Sequence, residues 1–138
     1  MAQTPELSLS PDKAFAILSK ARQFDVKDAV SEPDPGSNAS DDMMLSVLED
    51  HADDPVRSEL VAMIRALNVD EQIDLVTLAW LGRGDGDLDD WDDLRSEAAR
   101  AHNKRTAEYL LGMPILADYL EEALSQFGHT AEEFEQPV

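Results

Sequence analysis

Residues that could do chemistry recur at helical spacing between Trp91 and Tyr109. Because each residue of an α-helix advances about 100° around the axis, Trp91, Ala98, His102, Arg105 and Tyr109 are expected on one side of a single helix. That side is mostly apolar and is expected to face the core. An unpaired charge is costly to bury, so the arginine needs a carboxylate or a backbone carbonyl as its partner.

We group the polar and aromatic residues of this helix with an arginine of the preceding glycine loop as the polar seam: Arg83, His102, Asn103, Arg105 and Tyr109. In a structural interpretation, Asp74, Asp118 or a backbone carbonyl pairs with Arg105 and fixes how the helix docks. In a functional interpretation, His102, Arg105 and Arg83 line a cleft for a small anion or for a partner's carboxylate. An enzymatic version makes His102 a proton carrier while the arginines hold the anion.

One acidic loop invites a metal-site interpretation but lacks essential parts. Asp85, Asp87 and Asp89 have the alternating spacing that places carboxylates around calcium. Asp90 and Ser96 stand where such a loop needs its glycine and its bidentate glutamate. Helix capping and solvated charge therefore explain the loop better than calcium binding does.

His51 and Asp54 are one helical turn apart and could share a metal only if another helix supplied further ligands. The Glu-x-x-His pair of di-iron bundles is absent, so we interpret His51 as a partly buried residue paired with an acid. The sequence has no glycine-flanked serine elbow, no lysine-bearing phosphate loop and no cysteine. We therefore expect no catalytic residue, no metal and no cofactor.

The charge balance excludes the commonest macromolecular ligands. Thirty acidic residues against 11 lysines and arginines give a net charge of −19 in 138 residues, which repels nucleic acids and anionic membranes. No stretch approaches the length of an apolar membrane span, and nothing indicates an oxidising compartment, so a cytoplasmic location is expected. A hydrophobic content of 43% is sufficient for a folded core.

Apolar periodicity predicts an all-α fold, a compact bundle of about five to six helices with an acidic linker after the first. The expected helices cover residues 11–24, 41–52, 55–67, 71–81, 90–111 and 115–127. The fourth is apolar on all sides and is expected at the centre of the bundle. The expected domain organisation is an N-terminal helical arm at 1–27, the linker at 28–40, a helical domain at 41–128 and a tail at 129–138.

Local signals mark where these helices begin and end. Ser10 and Asp54 each precede a proline, which suits the first position of a helix, and Asp70 and Asp89 are expected to cap the fourth and fifth helices. Glycines at positions 82, 84 and 86 then permit positive φ and a tight reversal.

Two separated segments carry a family resemblance: AWLGRGDGD at 79–87 and AHNKRTAEYLLGMPILADYLEEAL at 101–124. With these motifs the chain resembles, over about residues 60–127, a family of small bacterial proteins classed only as a domain of unknown function. The resemblance implies a compact helical domain of bacterial origin and implies no activity. The residues that match its motifs are Trp80, Gly82, Arg83, Gly84, His102, Asn103, Arg105, Thr106, Tyr109, Gly112 and Pro114.

Taken together, these features favour a non-enzymatic interaction or regulatory protein. It is expected to contact a protein partner or a second copy of itself, through its acidic surface or a tethered first helix docking in cis or in trans. The alternative is a small-anion or enzymatic site built on Arg83, His102 and Arg105.

Overall fold

The computed structural model describes residues 5–31 and 54–130, without the side chains of residues 27–31. Over these ranges the chain forms six α-helices and no strand, which confirms the all-α prediction. The helices are α1 Pro11–Ser31, α2 Pro55–Arg65, α3 Val69–Arg83, α4 Trp91–Ala101, α5 Thr106–Leu111 and α6 Leu116–Gln126. The predicted helix at 41–52, which contains His51, the linker beyond residue 31 and the tail beyond residue 130 lie outside the described residues.

α3 occupies the centre of the bundle, as its apolar circumference predicts. Nine of its 15 residues are buried, and it packs against α4, α5 and α6. A helix that is apolar all round needs neighbours on every side, and these three supply them. Among the helices of residues 5–31 and 54–130, none is both long and apolar enough to cross a membrane.

α1 is longer than predicted and packs within the bundle. It extends to Ser31 instead of ending near Phe24, because no proline or glycine occurs between Pro11 and Pro33. Its buried side chains, among them Phe15 and Leu18, belong to the same hydrophobic core as the rest of the chain, and α1 contacts α6 and α2. The first helix is therefore docked in cis, and residues 28–31 of the predicted linker are helical.

The buried carboxylate of Asp74 connects three parts of the chain. It accepts hydrogen bonds from the backbone N–H groups of Ser8 and Leu9, which precede α1, and from the Nε of Arg95 on α4, at 2.7 Å. The side chain of Asp74 is fully buried and that of Arg95 is 30% exposed. This ion pair explains how a carboxylate is tolerated at the centre of α3. Asp74, one of the three partners suggested for Arg105, pairs with Arg95 instead.

The N-termini of α2 and α3 are both capped by side chains, one as predicted and one by a different residue. Asp54 caps α2 by accepting from the Val56 N–H at 2.9 Å, with Pro55 at the first position, as predicted. Asn68 and not Asp70 caps α3, in a capping box completed by the Glu71 side chain. Asp70 is the second residue of α3, so its carboxylate lies near the positive end of the helix dipole, but it does not occupy the N-cap position.

The acidic loop before α4 is organised by reciprocal hydrogen bonds. Asp87 accepts from the Asp89 N–H at 3.0 Å, and Asp90 accepts from the Asp87 N–H at 3.0 Å, so that a 3₁₀ turn, Leu88–Asp90, leads into α4. Asp87 therefore caps the 3₁₀ turn, while the N-cap position of α4 is held by Asp90 without a side-chain hydrogen bond, so the prediction that Asp89 caps this helix is wrong.

The three loop glycines have different roles, which corrects the prediction that all three permit a reversal. Only Gly84 has a positive φ, 98°, and it ends α3 in the left-handed conformation. Gly82 lies inside α3, where a Cβ would stand 1.7 Å from the backbone oxygen of Tyr119 on α6. The absence of a side chain at position 82 is therefore what lets α3 and α6 approach closely.

Candidate functional site

An open cleft of about 550 Å³ lies where α3, α4 and α5 meet. Its apolar wall is formed by Val76 of α3 together with Ala98 and Ala101 of α4. His102, Asn103, Arg105, Tyr109 and Trp80 contribute its polar and aromatic lining, joined by Thr106 and Glu108. Four of the five residues of the polar seam thus surround one cleft, and this volume falls in the range of small-ligand sites.

The helix predicted from 90 to 111 is broken, and this break forms the cleft. His102 has the extended backbone angles φ −60° and ψ 135°, which end α4. Asn103 then turns the chain by accepting from the Arg105 N–H at 2.7 Å, and Thr106 donates its hydroxyl to the Asn103 carbonyl at 3.0 Å. Asparagine and threonine compete for backbone hydrogen bonds in this way and so favour turns.

The break separates residues that one continuous helix would align on one buried side. Trp91 and Ala98 of α4 are each only 2% exposed, and Trp91 packs edge-on against Phe127 with ring centroids 5.0 Å apart. Beyond the break, Arg105 is exposed and Tyr109 is 45% exposed. The expectation that Arg105 lies within the core is therefore wrong.

His102 is oriented by a hydrogen bond that sequence spacing could not indicate. Its Nε2 lies 2.8 Å from Oε1 of Gln72 on α3. The Gln72 amide nitrogen donates to the carbonyls of Ile64 at 3.1 Å and Leu67 at 3.3 Å, which assigns Oε1 as an acceptor. His102 must therefore carry a proton on Nε2, and in the neutral ring Nδ1 is left as an acceptor.

Arg105 brings a guanidinium without a salt bridge in residues 5–31 and 54–130 to the cleft. The cleft carboxylate, Glu108, is instead paired with Arg65 of α2. The pKa of Glu108 is lowered by its own backbone N–H, then by Arg65, with a smaller contribution from the charge of Arg105.

Trp80 and Tyr109, which both line the cleft, are joined by a hydrogen bond. The indole Nε1–H of Trp80 donates to the hydroxyl oxygen of Tyr109 at 2.8 Å. Because an indole nitrogen can only donate, the Tyr109 oxygen is the acceptor and its own hydroxyl proton remains available. The pair fixes both rings and therefore gives this part of the cleft a defined shape.

Arg83 does not line the cleft, although it lies close to it. It makes two hydrogen bonds to Asp85, at 3.1 and 2.6 Å, and these raise its pKa, with a smaller contribution from Tyr109. Its charge is therefore already compensated locally. Asp118, the other proposed partner for Arg105, is paired with Arg22 of α1 at 3.0 Å.

Sequence reasoning missed Gln72 and Glu108 as parts of the site and treated Trp80 only as a residue of α3. Gln72 meets His102 across 30 residues of chain, and neither residue carries a local signal of that contact. The motif resemblance did include Trp80, and the Asn-x-x-Thr order of 103–106 could have indicated the break.

The sequence profile of the DUF3775 family, described as proteins of unknown function, matches residues 57–129. The chain belongs to this family. All the residues that line the cleft fall within the matched region, whereas α1 lies before it. The match confirms the resemblance to a domain of unknown function. No curated protein and no solved structure matches the chain.

Proposed function

We propose that this protein is a non-enzymatic binding module whose cleft takes an organic carboxylate with an apolar portion. The observation that carries the proposal is Arg105, which lines the cleft without a salt bridge to any described residue. A guanidinium is the side chain best suited to bind a carboxylate through two parallel hydrogen bonds.

Among the described residues Arg57 and Lys104 also have no salt bridge, but of these three cations only Arg105 lines the cleft. In a protein with a net charge of −19, most cations are expected to find an intramolecular carboxylate. Arg65, Arg83, Arg95 and Arg100 each pair with an acidic side chain. A guanidinium that lines a cleft without a salt bridge to a described residue is therefore available to an incoming anion.

The apolar wall supports a ligand that is more than a bare inorganic anion. Val76 and Ala98 are 8% and 2% exposed, so their positions are fixed by packing in the hydrophobic core. Burial of an alkyl group against such a wall contributes about 25 cal/mol for each Å² removed from water. The fixed pair of Trp80 and Tyr109 also lowers the cost of ordering the site when a ligand binds.

The lining favours holding a ligand over transforming it. The cleft offers one cation, one oriented imidazole, one phenol hydroxyl and a carboxylate, Glu108, that already pairs with Arg65, and the first three suffice for recognition. The paired state of Arg83 removes the second cation that the enzymatic hypothesis required for holding an anion. The polar seam that we assign to binding is accordingly His102, Asn103, Arg105 and Tyr109, with Trp80 added.

The test uses 4-methylpentanoate as the probe and 4-methylpentanamide as its neutral control. The two tryptophans give two indole N–H signals in a ¹H–¹⁵N spectrum, and only Trp80 lines the cleft. We expect the carboxylate to shift the Trp80 signal in a saturable way while that of buried Trp91 stays in place. The amide is expected to bind at least about tenfold more weakly.

Arg105→Gln is expected to remove this preference for the carboxylate, whereas Lys104→Gln removes a neighbouring exposed cation that does not line the cleft and should preserve it. Equal binding of acid and amide to the unmodified protein, or no shift of the Trp80 signal at all, would overturn the proposed function.

A further inference from the structure

We infer that the cleft recognises the carboxyl-terminal residue of a partner polypeptide, an N-acylated amino acid with an apolar side chain. This inference rests on the proposed function and specifies its ligand. Such a terminus has four recognition elements: a carboxylate, an amide N–H, the carbonyl of the preceding residue and an apolar side chain. The cleft has one counterpart for each of them.

The acceptor for an amide N–H is Nδ1 of His102. The Nε2–H of His102 donates a hydrogen bond to Oε1 of Gln72 at 2.8 Å, which keeps the proton on Nε2. Within the described residues nothing donates to Nδ1 or accepts from it, and His102 is a half-buried member of the cleft lining. Gln72 is thus a positioning residue: its contacts to two backbone carbonyls keep the imidazole in the tautomer that accepts.

The donor for the preceding carbonyl is the hydroxyl of Tyr109. Its oxygen already accepts from the Trp80 indole at 2.8 Å, so the phenol proton points elsewhere, and no described residue accepts it. Arg105 takes the carboxylate, and Val76 and Ala98 face the side chain. A simple fatty acid would use only the cation and the apolar wall, leaving the imidazole and phenol without partners.

Two features favour a chain end over a free amino acid derivative. The cleft is open to solvent, and Tyr109 is 45% exposed at its edge, so a polypeptide can continue outward from the carbonyl. The net charge of −19 also attracts basic residues that precede such a terminus. We therefore assign a partner whose last residue is apolar and whose preceding residues are basic.

The first experiment compares probes on the unmodified full chain, with the Trp80 indole signal as the readout. N-acetyl-leucine is expected to bind about three- to tenfold more tightly than its ester analogue, in which an oxygen replaces the amide N–H while the carboxylate and the apolar side chain are kept. N-acetyl-leucinamide, which lacks the carboxylate, is expected to be the weakest. If the amide and ester forms of the acid bind equally, the assignment to an N-acylated terminus is wrong.

This outcome is distinguishable from failure of the proposed function, because 4-methylpentanoate must still bind if only the further inference fails. Conversely, if neither N-acetyl-leucine nor 4-methylpentanoate binds, both are overturned. The comparison needs no variant and is therefore independent of any effect on folding.

Variants then assign the contacts. His102→Phe is expected to bind N-acetyl-leucine and its ester analogue equally, while keeping the discrimination against N-acetyl-leucinamide. Lys104→Gln is expected to retain both preferences. Retention of the preference for the amide by a folded His102→Phe protein would exclude Nδ1 as the acceptor.

The source of the ligand is tested with the peptide N-acetyl-Lys-Ala-Lys-Leu. We expect it to bind at least about fivefold more tightly than N-acetyl-leucine, with the advantage shrinking as salt screens the charges. Equal affinities would overturn the partner polypeptide and indicate a free N-acyl amino acid. A preference for N-acetyl-Glu-Ala-Glu-Leu over the lysine peptide would likewise contradict the charge argument.

Discussion

Replacing Gly82 by alanine tests whether the close approach of α3 and α6 organises the bundle. A Cβ at position 82 would stand 1.7 Å from the oxygen, 2.5 Å from the carbon and 2.8 Å from the Cα of Tyr119. All three atoms belong to the backbone, so no rotamer change can remove the clash. Restoring an ordinary carbon–oxygen separation of about 3.4 Å requires the two helices to move apart by about 1.7 Å.

The expected loss of stability follows from that displacement. A radial gap of 0.5–1 Å already forfeits about a quarter to a half of the dispersion energy between facing atoms. α3 and α6 form the most extensive helix pair in the described chain, so many buried side chains would lose contact together. Against a gain of about 1 kcal/mol in helix propensity, we expect a net loss of about 3 kcal/mol.

Urea unfolding followed by circular dichroism at neutral pH measures the change in free energy, and thermal unfolding followed by the same signal should show a fall in Tm of about 10 °C. Gly112→Ala is the matched control, since its Cβ would stand no closer than 3.4 Å to any atom and its φ is −78°. It should change the free energy of unfolding by less than about 0.5 kcal/mol. Similar stabilities for the two variants would refute the argument that Gly82 is required for helix contact.

Three further substitutions test other parts of the structure. Asp74→Ala leaves one guanidinium and two backbone N–H groups without their acceptor and should lower the free energy of unfolding by about 3 kcal/mol in urea titrations, whereas Asp118→Ala, on an exposed ion pair, should cost less than about 1 kcal/mol. Equal losses would contradict the distinction between buried and exposed pairs. Ile115 is the single non-glycine residue with positive φ in the described ranges, at 50°. Because asparagine tolerates this conformation better, Ile115→Asn should raise the free energy of unfolding by about 0.5–1 kcal/mol and the thermal midpoint with it. An unchanged or lower midpoint would show that the lost contacts of the isoleucine outweigh the strain. The Asn68 N–H and then Lys13 lower the pKa of Glu71, so its contribution to stability is complete above the unfolded value of about 4.3 and is lost as the pH falls through the folded value. Glu71→Gln should therefore flatten the decline of the urea midpoint with acidification below that pH, and an unaltered decline would argue against this contribution.

The sequence predicted the fold class and several helix starts because those depend on neighbouring residues. The Asp54 cap with its proline and the buried α3 were both visible in local pattern, and the structure confirms them. The helix break at 102–105 was missed because apolar periodicity continues across it in sequence. Only the hydrogen bonds made by Asn103 and Thr106 reveal that the backbone turns there.

The candidate site was predicted in composition but not in placement. Periodicity brought His102, Arg105 and Tyr109 together, and the structure places all three around one cleft. Their burial was predicted on the assumption of one straight helix. Because the chain turns at 102–105, Arg105 is exposed instead of buried. Gln72 escaped prediction altogether, because its contact to His102 joins two helices that are distant in sequence.

By itself, the sequence determined an acidic, all-helical chain, the Asp54 cap and the apolar helix at the centre of the bundle. These features follow from periodicity, capping chemistry and net charge, which act over a few residues or over the whole composition. Tertiary structure alone decided which carboxylates pair with which arginines, that Gly82 is a contact point between helices, and that Arg105 lines a cleft. Those outcomes depend on distances between segments that periodicity and capping signals leave undetermined.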